Sequence, residues 1–288
     1  MLPPLPPRPH DTDKTRMGRV LIIAGSRGMA GAAALSAEAA MRSGCGYVYV
    51  ATVGAISPEL TAAVPSAILR CTIDRERPQL SWEDVPMLVD AARIADAVVI
   101  GPGLGDGVEV WLAEFLRRCE RTPMVLDADA LNALARRREL LMSLQSDCVL
   151  TPHSGEAARL LGWGDDRVRV DASRQAAISQ LCLITGATVV LKGAGTLVAG
   201  QGKPTRTNET GNAGLARAGS GDVLSGIVGA LLARGMSGYD AAVAAVWLHG
   251  RAADVLATET GEESYISSDL ARALGRAFSD YATKVAAG

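Results

Sequence analysis

Short runs of Val, Ile, Leu and Ala recur along this chain, each ending in a turn of glycine or polar residues. "GRVLIIAG" (18–25), "YVYVAT" (47–52), "DAVVIG" (96–101), "PMVLDAD" (123–129), "DCVLT" (147–151) and "TVVLKG" (188–193) read as strands. "GAAALSAEAAMRSG" (31–44), residues 108–118, the segment opened by "GEAARLLG" and "DASRQAAISQLCLIT" (171–185) read as helices between them. Near-continuous apolar strands alternating with helices predict a mostly parallel α/β sheet with helices on both faces. Composition agrees with that layering. Hydrophobic residues make up 48% but aromatics only 4%, so the core must be built from Ala, Val, Leu and Ile. "GTLVAG" and "KPTRTN", joined by "QG", read as a hairpin beside the sheet. From 219 onward the chain reads as nearly all helix. Nothing divides residues 18–288, which are expected to form a single domain. Residues 1–17, with prolines at 3, 4, 6, 7 and 9, are expected to be a flexible extended arm outside it.

Several classes of function are disfavoured. A net charge of −2 argues against a broad nucleic-acid or anionic-membrane surface. The five cysteines form no Cys-x-x-Cys pair, and the three histidines are far apart, so neither a disulfide framework nor a histidine metal site is indicated. No apolar run reaches the roughly 18 residues of a membrane span, and the N-terminus lacks a secretory stretch. A reduced, cytoplasmic setting is expected.

Ligands of open parallel sheets bind beyond the carboxyl ends of the strands. The unusual turns collect there: "AGSRGMAGA", "GPGLG", "DADALN", "TPHSGE" and "KGAGT". Five such turns predict a binding crevice. The stretch "NAGLARAGSGDVLSGIVGALLARG" (212–235) sets Gly214, Gly219, Gly221 and Gly226 and Asp222 against a long apolar helix. A helix start carries unpaired N–H groups and partial positive charge, which suit a phosphate. On this segment alone, a cap by Ser220 or Asp222 and a phosphate site remain alternatives. No Gly-x-x-x-x-Gly-Lys-Ser/Thr loop is present, and "GPGLGDG" has Asp106 where a dinucleotide fingerprint needs its third glycine. "TPHSGE" brings His153 and Glu156 to the crevice; taken by itself it reads as a capped helix with a solvated histidine. "KGAGT" offers backbone N–H groups and the Lys192 ammonium to a nucleotide phosphate.

"IIAGSRGMAGAA", "GPGLG", "LDADALN", "LTPHSGE", "LKGAGT", "TGNAGLARAGSGDVLSG" and "LHG" occur in the order seen in the ADP-dependent (S)-NAD(P)H-hydrate dehydratases, a ribokinase-like family that the chain resembles over nearly its whole length. The resemblance implies a ribokinase-like fold and a cofactor-repair reaction. In that reaction the S epimer of hydrated NADH or NADPH is dehydrated to the normal cofactor as ADP becomes AMP and phosphate. By motif, Ala32, Gly103, His153 and Asp222 match the hydrate-binding positions. Lys192, Gly193, Ala194, Gly195, Thr196 and Gly221 match the positions that hold the nucleotide. The resemblance further implies Asp222 as the catalytic base, ADP as co-substrate, Mg2+ on the nucleotide phosphates with no protein ligand for it apparent, and a homo-oligomer such as a tetramer. Departures are Ser154 where the family usually has proline, "GNAGLA" for "GNPGMA", and a lysine-glycine signature reduced to Lys14 and Gly18; they concern loop rigidity and an entry lid. Members are often fused to an N-terminal epimerase domain, for which 288 residues leave no room. Two rival readings are a vitamin-precursor kinase of the same superfamily and a nucleotide-binding regulator without catalysis.

Overall fold

The computed structural model describes residues 1–144 and 147–287. Nine strands form one sheet in the order β3-β2-β1-β4-β5-β6-β7-β8-β9. They are β1 (Arg19–Ile23), β2 (Tyr47–Thr52), β3 (Ile68–Cys71), β4 (Ala97–Ile100), β5 (Met124–Leu126), β6 (Cys148–Leu150), β7 (Thr188–Leu191), β8 (Leu197–Ala199) and β9 (Arg206–Thr207). Neighbours from β3 through β7 pair in parallel, and β8 and β9 add an antiparallel hairpin at the edge. The apolar strands β4 and β7 are buried along their whole length, as a sheet covered on both faces requires.

The helices are α1 (Ala30–Arg42), α2 (Ser57–Ala63), α3 (Val85–Ala92), α4 (Val108–Arg118), α5 (Ala128–Arg136), α6 (Ser154–Leu161), α7 (Arg167–Ala172), α8 (Arg174–Thr185), α9 (Ser220–Ala233), α10 (Gly238–Thr260) and α11 (Ser267–Ala287). One layer is built from α1, α9, α10 and α11, which pack on one another; α3, α4, α5, α6 and α8 adjoin in series as the other. The strand order reverses between β1 and β4, so the turns after those two strands flank the switch point where open α/β sheets bind ligands. No described helix is long and apolar enough to cross a membrane.

Buried α9 lies close against its neighbours. A Cβ on Gly226 would stand 2.2 Å from the Ser36 carbonyl oxygen of α1, and one on Gly229 would stand 2.3 Å from Val99 Cγ2 of β4. Gly226 therefore permits close helix packing and lies inside the helix, away from any turn. Gly214 is likewise fixed by packing, since a Cβ there would meet the Tyr265 hydroxyl at 2.5 Å.

Residues 1–9 have no helix or strand, as their prolines demand, but the expectation of an arm outside the body is not met. Leu2 and Leu5 pack on the core, and Met17 is buried. Arg206 donates to the Met1 carbonyl (2.6 Å), Tyr281 to that of Pro3 (2.6 Å) and Arg234 to that of Pro6 (2.8 Å). An extended proline-rich segment presents carbonyls that no ladder satisfies, and three donors on the body supply the missing partners.

Candidate active site

The start of α9 is uncapped. Gly219 stands at the N-cap with φ +87°, a left-handed backbone that favours glycine, and among the described residues no side chain accepts from the first turn. Ser220, one of the two candidate caps, is turned the other way: His249 Nε2 of α10 lies 3.2 Å from its Oγ and 3.0 Å from its carbonyl oxygen. Burial pushes His249 down to about 4, so the ring is neutral at physiological pH. Asp222 does not cap either. The first-turn N–H groups of α9 are therefore left without a side-chain acceptor, at the positive end of the helix dipole.

Lys192, in the turn after β7, faces this helix start. Its Nζ donates to Asp127 Oδ1 at 2.9 Å and lies 3.8 Å from Glu156 Oε2. The carboxylates come from the ends of β5 and the first turn of α6, with side chains only 1% and 6% exposed. A Cβ on Gly221 would sit 3.3 Å from the Lys192 ammonium, so glycine here lets the helix start approach the charge. Burial, reinforced by Asp127, pushes the Asp222 carboxyl up to about 7, with Lys192 pulling the other way. Burial does the same to Glu156, also to about 7, again opposed by Lys192. The lysine itself is raised: burial alone would lower it, but Asp127 and Glu156 more than offset that. The result is a basic ammonium amid carboxyl groups, two of which burial holds well above the usual carboxylate range.

His153 is exposed, as the sequence suggested, with its side chain 55% accessible, and it is also held in the helix cap. As N-cap of α6, its Nδ1 accepts from the amides of Gly155 (3.0 Å) and Glu156 (3.3 Å), and Glu156 Oε2 accepts from the His153 amide (2.9 Å). This reciprocal box requires a neutral ring with its proton on Nε2. Burial, then the charges of Lys192 and Arg159, lower the ring's basicity and favour that form.

The remaining predicted residues lie at the switch point. Gly103 follows β4 with φ +61°, and a Cβ there would come within 3.0 Å of the Ala32 methyl on α1. Ser26 Oγ donates to the Gly103 carbonyl (2.8 Å), and Gly105 donates to Asp129 Oδ2 (2.9 Å), which ties the loops after β1, β4 and β5 together. A cavity of about 590 Å³ lies between the turn after β7 and the start of α9. All six residues predicted to hold the nucleotide, Lys192 to Thr196 and Gly221, line this cavity, and so does His153. Ala32, Gly103 and Asp222 do not line it. The first two lie farther along the strand ends, beyond Asp127 and Asp129.

A sequence model of the NAD(P)H-hydrate dehydratase family matches residues 20–276. The chain belongs to this family. The ADP-dependent (S)-NAD(P)H-hydrate dehydratase of Neisseria meningitidis is 43% identical over 88% of this chain and 82% of its own length. The bifunctional NAD(P)H-hydrate repair enzyme of Escherichia coli is 42% identical over 94% of the chain, which spans about half of that larger protein. Among solved structures, the ADP/ATP-dependent NAD(P)H-hydrate dehydratase of Bacillus subtilis, co-crystallised with ATP and Mg2+, superposes with a TM-score of 0.77. It is 26% identical, and the match covers 96% of this chain and 94% of that one.

In this dehydratase-family chain the departures from motif leave the cluster intact. Ser154 donates to Asp171 of α7, a contact that proline could not make. Ala213 opens a short turn whose cap, Asn212 Oδ1, accepts from Gly214 (3.1 Å) and from the Tyr265 hydroxyl (2.7 Å). Sequence reasoning gave no role to Asp127, Asp129 or His249. The paired acids of "LDADALN" at a strand end were a signal for the first two. His249 had only its place in "LHG". Among the described residues, no group of three or more His, Cys, Asp or Glu side chains is placed to hold a metal ion. Between Asp127 and Glu156 the cation is already the lysine.

Proposed function

We propose that this dehydratase-family protein restores hydrated NADH and NADPH, acting on the S epimer and converting ADP to AMP and phosphate. One observation carries the reading: an uncapped helix start, a carboxyl group poised near neutrality in its first turn, and a lysine against the same backbone. Phosphoryl transfer needs alignment and charge stabilisation above all, and those parts supply both.

Lys192 and the N–H groups at the start of α9 hold the transferring β-phosphoryl group, with the nucleotide in the cavity lined by Gly193 to Thr196. The hydrate ring lies toward Ala32, Gly103 and His153. Asp222, ionised, takes the proton of the C6 hydroxyl as that oxygen attacks the β-phosphorus. The new O–P bond forms as the bond to the bridging oxygen breaks, and AMP leaves. The ring nitrogen's lone pair then expels phosphate from C6, and transfer of the C5 proton to the departing phosphate closes the C5=C6 double bond. Mg2+, where present, would come with the nucleotide phosphates and neutralise their charge; among the described residues no carboxylates form a cage for it, and no step above depends on it.

The test is direct. Purified protein is incubated with hydrated NADH and either ADP or ATP while nicotinamide absorbance recovers and AMP and phosphate are counted. We expect one AMP and one phosphate per cofactor restored, with ADP the better co-substrate. Phosphorylated hydrate accumulating without dehydration would instead mark a kinase, and no phosphate release at all would mark a regulator.

A further inference from the structure

The crevice accounts for the reacting ring and for ADP, but not for the far end of hydrated NADPH, whose adenosine ribose carries a 2′-phosphate. Below His153, α5 and α6 run side by side away from the strand ends and open a groove of about 510 Å³. Arg136, Arg138, Arg159 and Asn132 line it, with Gly162 and Gly164 at its far end. From His153 to the left-handed cap Gly162, the helix descends about 13 Å at 1.5 Å per residue.

Arg159 joins this groove to the crevice. A Cβ on Gly155 would lie 3.8 Å from its Nη1, so the guanidinium stands directly under the His153 turn. Its Nε donates to Asn132 Oδ1 (3.1 Å) and its Nη1 to Asp165 (2.7 Å), an exposed carboxylate that a ligand can displace. Arg136 donates to Glu109 (2.9 Å) and, at 3.5 Å, to the exposed Asp106. Arg138 has no carboxylate partner among the described residues. Its Nη2 reaches only the Leu161 carbonyl at 3.4 Å, where α6 ends. Gly162 lets this guanidinium lie against the backbone, since a Cβ there would stand 2.4 Å from Arg138 Nη1. At Gly164 a Cβ would meet nothing within 4 Å, so that end is open.

Guanidinium groups present paired donors that match phosphate oxygens, and arginine is the side chain that accommodates a 2′-phosphate in dinucleotide sites. We propose that this arginine groove binds the 2′-phosphate of hydrated NADPH, and that it gives the protein a preference for the phosphorylated cofactor. The inference rests on the dehydratase reading above.

Turnover of hydrated NADPH and hydrated NADH by the full chain tests it, with Arg138→Gln and Arg138→Lys beside the parent. Expected is a fall of about tenfold in the ratio of the two kcat/KM values for Arg138→Gln, the worth of one charge-assisted hydrogen bond. Arg138→Lys should recover part of the ratio. An unchanged ratio, or an equal loss on both hydrates, overturns the proposal. A second arm needs no turnover: the protein saturated with ADP is titrated calorimetrically with adenosine 2′,5′-bisphosphate, AMP and inorganic phosphate. Binding of the bisphosphate alone, weakened about tenfold by Arg138→Gln, supports the groove; binding of none of them, or of all three alike, overturns it. If neither hydrate is dehydrated by the parent protein, the functional reading fails, and the calorimetry still decides the groove.

Discussion

Two helices open onto the same crevice with their positive ends, and they are finished in opposite ways. The start of α6 is closed: the His153 ring accepts two of its amides, and Glu156 returns the bond to His153. The start of α9 is open: glycine stands at the cap, Ser220 is held by His249, and Asp222 points no acceptor back at the helix. Capping satisfies the N–H groups that an anion would otherwise use. A capped start presents side chains to a ligand, whereas an uncapped one presents backbone. On the proposed function, the chain offers a positioned ring at one helix and a phosphate seat at the other, about Lys192.

The strongest way to break this contrast is Asp222→Asn. If the open start of α9 serves chemistry, turnover should fall by about 10²–10⁴-fold, the usual worth of a positioned base. Stability should respond with the opposite sign. The folded-state pKa of Asp222, about 7, lies above the ordinary aspartate value of 3.8. Between those values the folded protein keeps a proton that the unfolded chain has lost, so this group's contribution declines as pH rises from 4 to 7. Asparagine abolishes that decline. The variant should melt at or above the parent at pH 8, while parental kcat/KM climbs through pH 7 to a plateau. Near-parental turnover in a folded Asp222→Asn protein would end the base assignment.

Lys192→Ala should come next. It strips Asp127 and Glu156 of their counter-charge where both are buried, and removing one partner of such a pair costs about 3 kcal/mol. ADP affinity should drop more than hydrate affinity. A denaturant titration and an ADP titration check the two effects, and normal ADP binding would reassign the turn after β7.

Gly219→Ala tests the uncapped turn itself. Its φ of +87° should cost alanine about 1–2 kcal/mol, and a Cβ would meet Leu35 Cδ1 at 2.5 Å. Chemical denaturation should register that loss, with nucleotide affinity reduced in parallel. A neutral outcome would mean that the helix start can adopt another geometry.

The smallest effect belongs to the closed helix. His153→Ala should lose about 1 kcal/mol with the cap, while His153→Asn should retain most of it, because asparagine is itself a good cap. Hydrate KM should rise in both. Equal stability losses for the two variants would show that capping is not what the ring contributes to the fold.

What the sequence made legible follows from what lies contiguous in it. The buried strands and their helices announced themselves by unbroken apolar runs, and Lys192 to Thr196 form one segment that lines one cavity. β3 escaped notice because its four residues alternate between exposed and half-buried at the sheet edge, giving no apolar run. α2 and α3 are short and went unnoticed beside it. The cluster around Lys192 was hidden for another reason. Asp127 is 65 residues away in the chain, and only the parallel succession β5-β6-β7 makes the two side chains partners. The glycines of residues 212–235 look alike in sequence but do different work. Gly219 supplies a left-handed turn and Gly221 room for an ammonium, whereas Gly214 and Gly226 only make space for neighbours.

The tight seating of α9 has a practical corollary. Its middle is wedged between the Ser36 carbonyl of α1 and Val99 of β4, so its first turn has no hinge beneath it. A ligand that grips this turn is holding the central layer of the domain, and cannot be released by loosening a loop alone. Occupancy should therefore register in the melting of the entire domain, by about 2.7 kcal/mol at a ligand concentration one hundred times Kd. A simple heat ramp then doubles as a screen, ranking nucleotides and hydrated cofactors by affinity before any turnover has been measured.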